Sequence, residues 1–295
     1  MRMRKTRRGI IAAMVMALAL LAGESSGRVI YVDAKGPAGG TGVSWANAFP
    51  CVQTALGVAE KGDVIRVAQG TYRPDEGIMG SRRVELKGSG DRTATFLLVT
   101  GAAMRGGYAG LGGPDPNARD VHKYETILTG DLKGNDVDLA GIDWEAVNAF
   151  TLHASRTDNS YCVVTIEAGD SGTVLDGFTI TGGHVLWGTT STGMLMGGSG
   201  MTVSAGTPTI VDCTFRRNTA RAEGVGGYGA WGFRGGAVVS ANSQPTFQRC
   251  TFIENILSKI SSGLGSLTVP TNSMTSFLSI LNTVGIGPPS ARCCE

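Results

Sequence analysis

The sequence predicts an all-β chain wound into a right-handed parallel β-helix, with one helix covering its N-terminal end. Three observations carry this expectation. A block recurs at a fixed offset of 37 residues, which Pro208/Pro245, Cys213/Cys250, Phe215/Phe252 and Asn218/Asn255 all keep. A fainter copy precedes it: Thr179-Ile180 stands 35 residues before Thr214-Phe215, and Gly183 takes the place of Asn218. Glycine supplies 45 of 295 residues without a Gly-X-Y period, which excludes a collagen helix and implies many tight corners.

Each repeat holds short apolar or β-branched runs separated by Gly, Asn, Ser and Pro, and none has the length or 3.6-residue period of a helix. In Cys213-Thr214-Phe215 and Cys250-Thr251-Phe252, alternation puts Cys and Phe on one face and Thr on the other. One coil of such strands cannot bury its inner face alone, whereas coils stacked about 4.8 Å apart can. Equivalent residues then lie one above another. Asn218 and Asn255 become a ladder in which each amide bonds the next, and Asn tolerates the left-handed backbone of a sharp corner. Cys213 and Cys250 become parallel inward thiols, which favours a free-thiol ladder over a disulfide.

Residues 1–27 read as an export signal. Arg2, Arg4, Lys5, Arg7 and Arg8 precede an apolar core from Ile10 to Ala22 that is too short to span a bilayer, and small residues to Gly27 offer cleavage sites. The formal charge of +2 belongs to the whole chain. Without this segment 21 basic residues face 23 acidic ones, a balance that offers nothing to nucleic acid. No later stretch reaches about 18 consecutive apolar residues, so no transmembrane segment is expected after cleavage.

Residues 28–255 suit one elongated domain. Tyr31-Val32 is a short strand and Gly36 to Gly42 a turn. Pro50 to Glu60 is the capping helix: Pro50 suits the first helical position, Val52, Ala55, Leu56 and Ala59 make one stripe, and Gly62 suits the C-terminal cap. It is assigned as a lid over the exposed edge of the first coil. Strands are expected at 64–68, 84–87, 95–99, 126–129, 162–166 and 174–180. Loops are expected at 106–122, 133–159 and 220–234. Residues 256–295 carry no third copy, although Met274 to Val284 suits a short apolar helix. A C-terminal cap and a truncated or frameshifted end are the two readings.

The pair Gly235-Gly236-Ala237-Val238 and Phe252-x-x-Asn255, with Phe215-x-x-Asn218, resembles the GGAI/FxxN repeats of chlamydial-type polymorphic outer membrane proteins. Tyr31-Val32-Asp33-Ala34, the stretches 41–49 and 62–72, and Thr126 to Leu132 make the segment from Tyr31 to Asn255 similar to secreted right-handed β-helix proteins abundant in planctomycetes. The resemblance implies a pectin-lyase-like solenoid and a bacterial cell-surface setting. It implies no particular activity.

Parallel β-helices include polysaccharide lyases and glycosidases, so chemistry is judged residue by residue. Asp176 with His184 is the candidate acid/base pair, set against a corner Asp and an exposed loop His. Asp131, Asn135, Asp136 and Asp138 are oxygen ligands at a spacing that loosely echoes a Ca²⁺ loop. Lys133 and Asp136 occupy the positions where a ligand and the turn glycine belong. Trp187, Tyr228 and Trp231 are aromatic candidates for sugar binding, set against packing back over the coil. Asp212 and Glu254 are not equivalent; their counterparts in the other repeat are Arg249 and Arg217, so no carboxylate dyad arises. The function expected is an exported, non-enzymatic scaffold, surface or adhesion-like, with polysaccharide or cell-surface components as partners. The rival reading is a polysaccharide lyase or glycoside hydrolase on the same fold.

Overall fold

The computed structural model describes residues 27–79, 84–86, 88–137, 153–186, 197–223, 234–240, 242–261 and 264–270. Residues 1–26 of the expected export signal, the apolar stretch Met274 to Val284, Asp138, Trp187, Tyr228 and Trp231 lie outside them.

The strands stack into parallel ladders whose members follow chain order. The first sheet is Val29–Val32, Val64–Ala68, Ala103–Tyr108, Val174–Asp176, Thr209–Val211 and Thr246–Gln248. The second is Gly70–Tyr72, Thr126–Thr129, Thr179–Thr181, Thr214–Arg216 and Thr251–Ile253. The third is Phe96–Leu97, Val164–Ile166, Met201–Val203 and Val238–Ser240. Each coil visits the three in turn, which makes the chain a parallel β-helix. A fourth ladder, His184–Leu186, Thr219–Glu223 and Ile256–Ser261, is also parallel and is bordered by the antiparallel strand Leu264–Pro270. The stack therefore continues past Asn255.

Register turns the sequence alternation into columns. Ile30, Ile65, Met104, Leu175 and Ile210 align inside the first sheet, and Tyr72, Leu128, Ile180, Phe215 and Phe252 inside the second. Phe96, Val164, Met201 and Val238 do so in the third. These columns belong to one continuous apolar core. Burying a side chain of this size stabilises by about 1.5–3 kcal/mol, a gain each coil obtains only with its neighbours in place. Phe215 and Phe252 stack with ring centroids 5.0 Å apart.

The asparagine ladder forms as expected, on a different backbone. Asn218 Nδ2 donates to Asn255 Oδ1 at 3.0 Å and to the Ile180 carbonyl at 2.9 Å, while Asn218 Oδ1 accepts from the Gly183 amide at 3.0 Å. Asn255 Nδ2 donates to the Phe215 carbonyl. The left-handed residues are those just before them, Arg217 (φ 54°) and Glu254 (φ 53°), not the asparagines. Gly182 (φ 75°) holds the same place in the earlier coil. The asparagines thus use their amides to satisfy backbone groups at the bend and leave the strained conformation to the preceding residue.

The helix is shorter than expected. It spans Val52–Leu56, with Cys51 as N-cap and Gly57 as C-cap, so Pro50 precedes the cap instead of opening the helix. Gly62 belongs to a later turn, where Asp63 N donates to the Glu60 carbonyl. Val52, Ala55 and Leu56 face the apolar core beside Ile30 and Val32. The expected strand 174–180 is two strands separated by a left-handed Gly177 (φ 82°). Ala103–Tyr108 is a central strand that overlaps the expected loop at 106, and Thr219–Glu223 replaces the start of the expected loop at 220. Val84–Leu86 pairs antiparallel with Gly77–Met79, off the stack.

Replacing Asn218 with Ala removes a wholly buried amide and strands the Gly183 N–H and the Ile180 carbonyl. Unfolding free energy should fall by about 2 kcal/mol or more. Urea midpoints of the variant and the parent protein measure it. An unchanged midpoint would mean that the amide column contributes nothing.

Candidate functional site

The two residues singled out for acid–base work are not brought together. Asp176 ends a first-sheet strand, and its Oδ1 accepts from Arg119 Nη2 at 2.6 Å; its Oδ2 lies 3.9 Å from Arg105 Nε. His184 opens a fourth-ladder strand and is only 1% exposed, so it is no loop histidine. Its Nδ1 lies 2.6 Å from Thr219 Oγ1, and its carbonyl accepts from Arg92. Burial first, then the charges of Arg156 and Arg92, push the imidazole down to about 3. A neutral, enclosed ring bonded to a core threonine is a packing group.

The acidic loop is wired to itself. Asp131 Oδ1 accepts from the Gly134 and Asn135 amides at 2.7 and 3.1 Å, and its Oδ2 from the Asp136 amide at 2.9 Å. Asp136 Oδ2 accepts from Arg156 Nη1 and Asn159 Nδ2, both at 2.9 Å. These carboxylates hold the loop and Arg156. Asn135 turns its amide toward Asp158. Among the described residues no group of three His, Cys, Asp or Glu side chains is placed to share a metal ion.

Among the described residues Arg156 is the largest fully buried side chain. Its Nη2 donates to the carbonyls of Arg217 at 3.0 Å and Gly183 at 3.3 Å, so it plugs the corner below the asparagine ladder. Burial lowers the affinity of Arg156 for its proton and raises that of Asp136, each against their mutual attraction. Such a pair holds position more than it adds stability.

The repeat positions that seemed mismatched in sequence become ion pairs between coils. Arg249 Nε lies 2.6 Å from Asp212 Oδ1, and Arg217 Nε lies 2.7 Å from Glu254 Oε2. The Arg249 hydrogen bond holds the Asp212 carboxyl below the usual carboxylate range. All four residues have positive φ. Cys213 and Cys250 are free thiols, as is Cys162. Burial drives the Cys213 thiol up, and the Cys213 thiol beside Cys250 holds that one down.

Sequence reasoning missed the outer side of the first sheet. Arg66, Arg105 and Asp176 align across neighbouring strands there, and Arg119 reaches in from the segment that follows Tyr108. These arginines share no repeat offset, so only the register reveals them.

No protein-family model matches the chain, and no curated protein or solved structure does either. The fold alone defines its class, a parallel β-solenoid.

The buried histidine makes stability depend on pH. An unfolded chain protonates it below about 6.5, the folded protein only near 3. Between those values the unfolded state binds more protons, so stability declines as pH falls, by at most about 1.4 kcal/mol per pH unit from this group. His184→Gln, which keeps a partner for Thr219, should flatten the profile between pH 6.5 and about 4.5. Urea titrations at stepped pH test it; parallel profiles for the two proteins would refute the assignment.

Proposed function

We propose that this protein is an exported, non-enzymatic β-helix scaffold. It presents its outer faces to polysaccharide or other cell-surface components. The observation that carries the reading is how the carboxylates along the coil are used. Asp212, Glu254, Asp176, Asp136, Asp63 and Asp170 each face a cation, namely Arg249, Arg217, Arg119, Arg156, Arg28 and Lys61. Glycoside hydrolysis needs two carboxyl groups flanking one bond, one of them able to give up a proton. These carboxylates instead fasten loops and successive coils. The basic, then apolar, then small-residue order of residues 1–27 supports export. Among the described residues no helix is long and apolar enough to cross a membrane.

Purified protein should release neither reducing ends nor unsaturated uronides from pectate, alginate or neutral glycans, with or without Ca²⁺. Turnover abolished by Asp176→Asn or His184→Gln would establish the hydrolase or lyase reading instead. Mass spectrometry of protein made in an exporting bacterial host should find the N-terminus between Ala22 and Arg28. An intact Met1 in the membrane fraction would refute export.

A further inference from the structure

The outer side of the first sheet carries guanidinium groups in excess of carboxylates. Register sets Arg66 beside Arg105, and Arg105 beside Asp176. Neighbouring strands are about 4.8 Å apart, so these side chains form a row along the axis of the solenoid. Arg119 joins the row and takes the nearer bond to Asp176, at 2.6 Å against 3.9 Å for Arg105. No carboxylate among the described residues is within ion-pair reach of Arg66. Arg119 and Arg105 thus share Asp176, and Arg66 is left with no ion pair among the described residues.

Neutral groups hold Arg66 instead. Its Nη1 donates to Asn117 Oδ1 at 3.2 Å, an oxygen that also accepts from Trp45 Nε1 at 3.0 Å. Its Cζ lies 5.9 and 5.5 Å from the ring centroids of Tyr31 and Tyr108. Its Nε is buried and has no hydrogen-bond partner. Trp45 and Tyr108 pack in a small apolar cluster of their own, with Tyr31 against it. Arg105 stands beside this fixed group with its side chain 46% exposed. Like charges placed on adjacent strands repel. A guanidinium oriented in advance and lacking a counter-charge, next to an exposed second one, suits a planar anion.

We propose that this row binds an acidic polysaccharide, with Arg66 and Arg105 taking uronate carboxylates and the Tyr31 ring flanking a sugar. Cationic positions repeated along one axis match a ligand that carries charge at intervals along a chain. An aromatic ring beside them matches the apolar face of a sugar. The near-balanced charge of the remainder of the chain argues against general affinity for polyanions. The proposal deepens the scaffold reading and rests on it only for where the ligand is met.

The test is affinity electrophoresis of the purified full chain in gels containing polygalacturonate, its methyl ester, dextran sulfate or duplex DNA. Polygalacturonate should retard the protein at low salt, and its uncharged methyl ester should not. Arg105→Gln should weaken that retardation about tenfold, as loss of a charge-assisted contact does. Arg216→Gln removes the same charge from the second sheet and should leave it intact. Unfolding midpoints confirm that both variants fold. No retardation by polygalacturonate, equal loss in both variants, or equal retardation by dextran sulfate or DNA would overturn the proposal. Release of unsaturated or reducing ends would overturn the scaffold reading and leave the binding row standing.

Discussion

Backbone hydrogen bonding between successive coils, in strict register, is the constraint on which everything else here depends. Val174 N donates to Ala102, Thr209 N to Thr173 and Thr246 N to Pro208, carrying one ladder from coil to coil. A slip of one residue would turn Leu175 and Ile210 outward and Asp176 inward. Length therefore changes mainly where strands are absent, the register shift between Arg66 and Ala68 against Ala103–Tyr108 being an exception. Val174 aligns with Thr209, 35 residues on, whereas Gly169 aligns with Gly206, 37 residues on. The corner between absorbs the difference. His184 aligns with Thr219 at 35 and Gly197 with Arg234 at 37, so the later coil restores it with a longer segment between Arg221 and Arg234 than its counterpart between Leu186 and Gly197.

The corners take the conformational strain that the strands avoid. Asp212, Arg217, Arg249 and Glu254 all occupy the left-handed region, where the earlier coil uses Gly177 and Gly182. A non-glycine residue there costs about 1–2 kcal/mol. The return is a side chain at a fixed place on the outer edge, and each of the four uses it to bind the residue one coil away. Corner strain and inter-coil ion pairs are two aspects of one arrangement. The buried Arg156 and the asparagine amides do the same from within, by satisfying carbonyls that the bend leaves unpaired.

The stack was legible because Pro208, Cys213, Phe215 and Asn218 recur together, and a shared offset survives any local irregularity. Ala103–Tyr108 was not legible, since its two glycines and one arginine resemble a loop and only its neighbours on both sides make it a central strand. The capping helix was overextended because its apolar stripe continues to Ala59 after the helix has ended at Gly57. His184 looked exposed because Gly182-Gly183 precedes it, yet the strand it opens carries it inside. The arginine row has no sequence signature at all: Arg66 and Arg105 meet through pairing between distant strands, and Arg119 meets them through a loop.

The antiparallel strand Leu264–Pro270 reverses the chain against Ile256–Ser261, the last parallel member of its ladder. A solenoid is otherwise an open template, since the rim of one molecule has the geometry that another molecule's first coil would extend. A strand running the wrong way presents donors and acceptors in the antiparallel pattern, which a further parallel coil does not match. On that side of the molecule, filament growth by end-to-end addition is interrupted by strand direction, and Pro270, at the end of the edge strand, adds a position with no N–H to donate.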